Sequence, residues 1–237
     1  LAIHGVVVKK DGTIINLSIG DKENDPVFCI TDLLPHLGQE QMEKKATKVI
    51  EGEALDLLIA SQPVKGELKD GVTQFLNIIL EKEYNFTEQD LLSAELEIVP
   101  AGKARDMGFD RSMIMAYGQD DRVCAYTSLV AMLEVESVKR TTCCLLVDKE
   151  EIGSVGATGM QSRFFENALA EILELMGKTS ALSLRRTLEK SRMLSSDVSA
   201  GYDPLYASAF EKKNASYLGM GVVFNKFTGS RGKSGSN

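Results

Sequence analysis

Tryptophan is absent from this chain, and its 237 residues hold only two histidines, His4 and His36. That scarcity speaks against a serine hydrolase, which needs an imidazole beside its nucleophile. No G-x-S-x-G occurs, and neither histidine neighbours a suitable serine. The four cysteines, Cys29, Cys124, Cys143 and Cys144, form no C-x-x-C pair. Adjacent Cys143 and Cys144 face opposite sides of a strand. The set therefore reads as reduced core residues of a cytoplasmic protein, neither a disulfide frame nor a zinc knuckle. No apolar run approaches the roughly 20 residues that a membrane-spanning helix needs, so no membrane partner is expected. The opening Leu1-Ala2-Ile3-His4 lacks the basic-then-apolar pattern of a secretory signal. It also lacks a starting methionine, which points to a longer gene product. Basic residues are outnumbered, 27 against 34 acidic, giving a net charge of −7. Nucleic acid, held through Lys/Arg contacts to phosphate, is accordingly not expected as a partner.

What is present suits a globular protein: 43% hydrophobic and 26% charged residues, in a length that allows one large or two ordinary domains. Two halves differ in character, 1–112 and 113–237. In the first, Ile3 to Val8 and Thr13 to Ile19 are β-branched runs joined by Lys9-Lys10-Asp11-Gly12, a hairpin signal because Asp-Gly accepts positive φ. Val27 to Ile30 and Leu96 to Val99 read as further strands. Gln39 to Lys48, Glu53 to Ala60 and Gly71 to Lys82 carry helical periodicity. Thr87-Glu88-Gln89-Asp90 resembles a capping box with Asp in the place of Glu or Gln. The second half alternates strand and helix: a strand at Met113 to Ala116, a helix from Asp121 to about Val135, an apolar strand at Thr142 to Val147, and a glycine-rich loop at Gly153 to Gly159. Helices follow at Phe164 to Met176 and Leu182 to Met193, then a last strand at Tyr217 to Phe224. Continuous apolar strands between helices imply an α/β fold with a central, mostly parallel sheet covered on both faces. The Gly/Ser/Lys-rich tail Thr228 to Asn237 reads as a linker or an active-site loop.

Chemistry concentrates in the acids. Glu150-Glu151 follows the apolar run ending at Val147, where two adjacent carboxylates are costly unless a cation meets them. Asp120-Asp121 stands at a strand-to-helix junction, and Asp197 follows another helical run. Ligands of open α/β sheets collect at the carboxyl ends of strands, so these acids can converge there. Two-metal sites are built in this way, with one carboxylate bridging, others flanking and one moving protons. Each acid has an ordinary alternative; Asp121 suits the N-terminus of a helix, where the dipole favours negative charge. Two glycine patterns are set aside. Gly153, Gly156 and Gly159 have the wrong spacing for a dinucleotide loop and follow an acidic cluster that would repel pyrophosphate. Gly232-Lys233-Ser234 lacks the first glycine of a P-loop, having Phe227 there.

Four motifs in order, Gly118-Gln-Asp-Asp-Arg122, Asp148-Lys-Glu-Glu-Ile-Gly-Ser154, Ser196-Asp-Val-Ser-Ala-Gly201 and Lys226-Phe-Thr-Gly-Ser-Arg231, resemble those of the M18 metalloaminopeptidases. That family contains aspartyl aminopeptidase and aminopeptidase I. The resemblance implies a zinc-exopeptidase-like catalytic domain over 113–237 and an inserted β-rich oligomerisation domain over 1–112. It also implies two zinc ions and release of single N-terminal residues from peptide substrates. Asp121 would bridge the metals, Glu151 and Asp197 would each bind one, and Glu150 would be the general base. Lys226 would hold substrate, and His4 would reach substrate in a neighbouring subunit of a dimer-based homo-oligomer, a dodecamer in the family. The family's two histidine ligands are expected before Leu1 and after Asn237, so the longer protein is expected to be the active form. The competing readings are a catalytically incompetent oligomeric fragment or scaffold, and a related metallohydrolase of the deacylase or carboxypeptidase type.

Overall fold

The computed structural model describes residues 1–66 and 69–224, which form helices and strands in two compact units, Leu1–Tyr117 and a second beginning at Gly118. The first unit is organised by a three-stranded antiparallel sheet in the order β2-β1-β5. Its strands are β1 (Ala2–Val8), β2 (Ile14–Ile19) and β5 (Ala94–Val99). The β1–β2 hairpin turns where the Asp-Gly pair expects it. Gly12 sits at φ +85, its N–H donates to the Lys9 carbonyl at 2.9 Å, and the Thr13 N–H donates to Asp11 Oδ1 at 2.9 Å. Gly5, at φ +145 in β1, lies so close to β5 that a Cβ there would collide with the Glu95 carbonyl. Glycine is therefore required for the two strands to pair.

The core forms where Val7, Leu17 and Ile19 meet Phe86, with Ile3, Ile15, Phe28, Leu80, Tyr84 and Ala94 packed around them. Phe86 reaches this place because helix α2 (Gly71–Tyr84) stops in time. Asn85 takes the left-handed conformation at φ 60, the Phe86 N–H returns to the Leu80 carbonyl at 3.4 Å, and the chain turns Phe86 inward. Asn is one of the few residues that accept this geometry without glycine. Lys9 donates to the Asn85 carbonyl at 3.0 Å, fastening the hairpin to the helix end. Just beyond, the Thr87/Asp90 capping box is present and starts a 3-10 helix over Glu88–Ser93. Hydrogen bonds from the Thr87 backbone and hydroxyl hold the Asp90 carboxyl below its usual range. Smaller pieces complete the unit: the single-turn α1 (Gln39–Met42), the β3–β4 pair (Cys29–Ile30 with Leu57–Leu58), and the β6–β7 hairpin (Arg105–Met107 with Met113–Met115).

Several expectations are corrected here. Glu53 to Ala60 is no helix; Gly52–Ala54 makes one 3-10 turn, and Leu57–Leu58 is taken into a strand by pairing with Cys29–Ile30. Gln39 to Lys48 breaks into α1 and a 3-10 turn at Ala46–Lys48. In the second unit, helices stand at α3 (Gln119–Leu133), α4 (Phe164–Leu175) and α5 (Ser183–Glu189). Neither Thr142 to Val147 nor Tyr217 to Phe224 forms a strand. Among the described residues the sheets are antiparallel, and parallel pairing is confined to two single bridges, Asp148 with Gly159 and Gly201 with Ser216. An apolar run becomes a strand only when another strand offers its ladder, and here none does. The cysteines are free as expected, but Cys29 and Cys143 are exposed rather than in a core.

All the buried hydrophobic side chains among the described residues, Ala2, Val7, Leu17, Ile19, Phe86 and Val99, belong to the first unit. In the second, Leu175, Leu194 and Leu205 are 89%, 95% and 87% exposed. No helix among the described residues is long and apolar enough to cross a membrane. Because Phe86 closes the core from one side, Phe86→Ala is expected to destabilise the first unit by about 3 kcal/mol, measured by denaturant unfolding. Gly5→Ala should prevent β1–β5 pairing, visible as lost amide protection along Ala94–Val99.

Candidate metal centre

The acids of the second unit are placed by two local devices. The first is the start of α3. Asp120 and Asp121 have non-helical dihedrals, so the regular helix begins after Asp121. The peptide bond between them is cis. Asp121 acts as an N-cap: its Oδ1 accepts the Cys124 N–H at 3.2 Å, satisfying an amide that the helix cannot. One Asp121 oxygen is thus committed to the helix, while Asp120 is exposed. The second device is a loop closed on itself between Asp148 and Gln161. Asp148 N–H donates to the Thr158 carbonyl at 3.2 Å, Ser154 N–H to Lys149 at 2.7 Å, and Gln161 N–H to Ser154 at 3.1 Å. The Gln161 side chain adds a bond to the Gly153 carbonyl at 2.5 Å. Within this loop Glu150–Ile152 makes one 3-10 turn, flanked by Lys149 and Gly153 at φ 66 and 90. Gly159 is buried at the closure, where a Cβ would strike the Ser154 carbonyl.

Asp120, Asp121 and Asp197 each offer a carboxylate oxygen within 4.8 Å of the others. Glu151 joins them. The neighbouring Asp120 charge, then that of Glu150, a hydrogen bond with Asp120 and the more distant Asp197 hold its carboxyl above the ordinary glutamate range. Burial first, and then contact with the Asp121 carboxylate, pushes the Cys124 thiol up. Lys149, the cation nearest in sequence, pairs with Asp148 at 3.5 Å. Carboxylates set this close, with no cation between them, have the donor chemistry of a cation site. Carboxylate oxygens are acceptable zinc donors, so the residues present fit the metal, although both histidines of the chain lie in the first unit.

The structure thus brings Asp121, Asp197, Glu150 and Glu151 into one neighbourhood and adds Asp120. Sequence reading passed over Asp120 as a ligand. The signal was in the motif: of two adjacent acids at a helix start, only one is needed as the cap. The premise that Glu150-Glu151 ends a buried strand is corrected, since both glutamates are exposed on a turn and it is mutual repulsion that disturbs Glu151. His4 lies in β1 of the first unit, in register with Ser18 on one side and Glu97 on the other. Its Nε2 meets Asp21 Oδ2 at 2.7 Å, and Ser18 donates to the same oxygen at 2.6 Å. Those bonds, the Ser18 one foremost, hold the Asp21 carboxyl below its usual range. Lys226 lies outside the described residues, as do Phe227, Thr228 to Asn237 and the Gly232-Lys233-Ser234 pattern.

A donor set of this kind is one that metallohydrolases use, and comparison with known proteins narrows it further. A family model described as aminopeptidase I zinc metalloprotease (M18) matches residues 1–237. The chain belongs to the M18 family of metallopeptidases. It is 62% identical over its whole length to a probable M18 family aminopeptidase 1 of Clostridium acetobutylicum, of which it covers 51%. It is 46% identical over its whole length to a probable M18 family aminopeptidase 1 of Thermotoga maritima, of which it covers 52%. The crystal structure of aminopeptidase I from Clostridium acetobutylicum superposes with a TM-score of 0.82 at 61% identity, over 99% of this chain and 50% of that one. The M18 aminopeptidase from Thermotoga maritima gives 0.86 at 45% identity, over 98% of this chain and 51% of that one. The chain therefore spans about half the length of the relatives it matches.

In metal-free protein the Glu151 carboxyl should titrate above an ordinary glutamate, and Asp120→Asn should bring it down, both read by site-resolved NMR. The sign follows from linkage: the native state holds this proton more tightly than the unfolded chain. Glu151 therefore contributes stability below its unfolded value and loses that contribution as pH rises through its raised native value. An unchanged Glu151 titration in Asp120→Asn would separate the two acids.

Proposed function

We propose that the protein to which this chain belongs is a cytoplasmic aminopeptidase that removes single N-terminal residues from peptides, with two zinc ions and a glutamate general base. The convergence of Asp120, Asp121, Glu151 and Asp197, in a chain matched throughout by a zinc metalloprotease family model, supports this reading. Asp121, Glu151 and Asp197 are the proposed metal ligands. Asp120, whose carboxylate interacts with Glu151, is proposed as a further ligand beside the helix-capped Asp121. Zinc, when bound, supplies Lewis-acid polarisation of the scissile carbonyl and acidification of water.

The chain's own residues do the rest. Glu150, on the 3-10 turn of the Asp148–Gln161 loop, takes a proton from the attacking water and returns it to the leaving amine. Its neighbour Glu151 is held toward Asp120, so adjacent side chains divide proton transfer from metal holding. Lys226 and, from a neighbouring subunit, His4 bind substrate. Ser18 and Asp21 fix the imidazole of His4, since a carboxylate accepting from one ring nitrogen sets the tautomer and orientation. The first unit serves homo-oligomerisation, with a dimer-based dodecamer as the proposed assembly. The parallel zinc-exopeptidase-like sheet, to which Thr142 to Val147 would contribute, is completed in the longer protein.

In full-length protein, Glu150→Gln should keep its zinc and its fold while turnover of aminoacyl substrates falls at least about a hundredfold, as loss of a general base does. Asp197→Asn should instead lose zinc, seen by elemental analysis. Retained turnover in Glu150→Gln would remove that residue from the mechanism. Cleavage of peptides with blocked N-termini would move the protein to another class of metallohydrolase.

A further inference from the structure

We propose that Gln161 is a positioning residue, whose side-chain amide ties the turn carrying Glu150 and Glu151 to the start of α4. The inference rests on the metal-site and general-base reading above. Gln161 Nε2 donates to the Gly153 carbonyl at 2.5 Å, and the Gln161 N–H donates to the Ser154 carbonyl at 3.1 Å. The backbone bond is open to any residue but proline. The side-chain bond is not, because it needs a donor of this reach. Gly153 and Ser154 are where the chain leaves the 3-10 turn Glu150–Ile152. Beyond Gln161, the Ser162 N–H donates to the Gly159 carbonyl at 3.0 Å, and α4 begins at Phe164. One side chain thus joins the exit of the acid-bearing turn to a segment that runs directly into a helix.

The backbone of the turn explains why such a tie is needed. Lys149, Gly153 and Ser154 lie in the left-handed region, at φ 66, 90 and 63. Lys149 and Ser154 carry a Cβ, and such residues keep this conformation only where surrounding bonds over-determine it. The Gly153 N–H donates to the Glu150 carbonyl at 2.8 Å and the Ser154 N–H to that of Lys149 at 2.7 Å. Both bonds lie within the turn and move with it, so they set its shape and not its direction. The Gln161 amide holds it from outside. Direction is what two adjacent acids with different tasks require. A general base acts only within hydrogen-bond reach of the proton it takes, and a displacement of about 1 Å can cost about a hundredfold in rate. Losing one neutral hydrogen bond shifts the turn toward misplaced positions by about three- to tenfold. Substrate is held by Lys226 and His4 in the reading above, so the loss falls on kcat and not on KM.

The test compares full-length wild type, Gln161→Met and Gln161→Ala, with Glu150→Gln as reference. Methionine keeps the shape of glutamine and has no donor. In metal-free protein, hydrogen exchange is read by mass spectrometry on a peptide spanning the turn and on one from α4. Both Gln161 variants should exchange about three- to tenfold faster in the turn and as wild type in α4. With zinc saturating, their kcat should fall within the same range at unchanged KM. Wild-type exchange and kcat in Gln161→Met overturn the inference, as does a rise in KM at unchanged kcat. A methionine variant like wild type beside a weakened alanine one also overturns it, since bulk and not the amide would then matter. In each of these cases an inactive Glu150→Gln leaves the general-base reading standing. Full turnover in Glu150→Gln overturns that reading and the inference with it.

Discussion

Repulsion among closely set carboxylates is the constraint around which the second unit is arranged. Asp120, Asp121 and Asp197 stand within 4.8 Å of one another, and Glu151 is pressed into the same field. Such a group cannot hold itself together; each acid needs a structural restraint or a cation. For Asp121 the restraint is an amide of α3, and for Glu151 it is a hydrogen-bonded loop that fixes the backbone on both sides. Asp197 accepts its own neighbour's N–H, from Val198 at 2.7 Å. The acids are therefore held by different means, and a bound ion would offset the repulsion that these local bonds leave in place.

The two units differ in how much of their stability lies within these residues. The first has a small but genuine core, closed by Phe86 and by a helix that ends on Asn85. In the second, apolar side chains of α3 and α4 such as Leu133 and Phe164 remain 75% and 70% exposed. The hydrophobic contribution scales with area removed from water, so the second unit realises little of it here. Its described order instead comes from hydrogen-bonded turns, helix caps and the ring cluster of Tyr202 with Phe210 and Tyr217.

Features encoded by near neighbours were legible in the sequence. The Asp-Gly hairpin, the Thr87/Asp90 capping box, and the helices at Gly71, Asp121 and Phe164 all depend on residues a few positions apart. Features that depend on a distant partner were not. Leu57-Leu58 sits in a helical pattern, yet pairing with Cys29-Ile30 makes it a strand. Thr142 to Val147 has strand composition but no partner ladder. The β6 strand, Arg105–Met107, shows no apolar alternation and exists because β7 folds back on it. In the site, the grouping of acids was readable from their positions next to helices and turns. The division of labour between Asp120 and Asp121 was not, because it turns on which carboxylate the helix claims.

The Asp148–Gln161 loop is closed by hydrogen bonds made inside its own short span. Contacts between near neighbours form sooner than those that must first gather a long stretch of chain. During synthesis, therefore, the turn that carries Glu150 and Glu151 can take its final form while Asp197 is still unmade. α3 with its two aspartates precedes both. The centre is assembled in sequence order, from one pre-shaped corner to the next, and Asp197 arrives last.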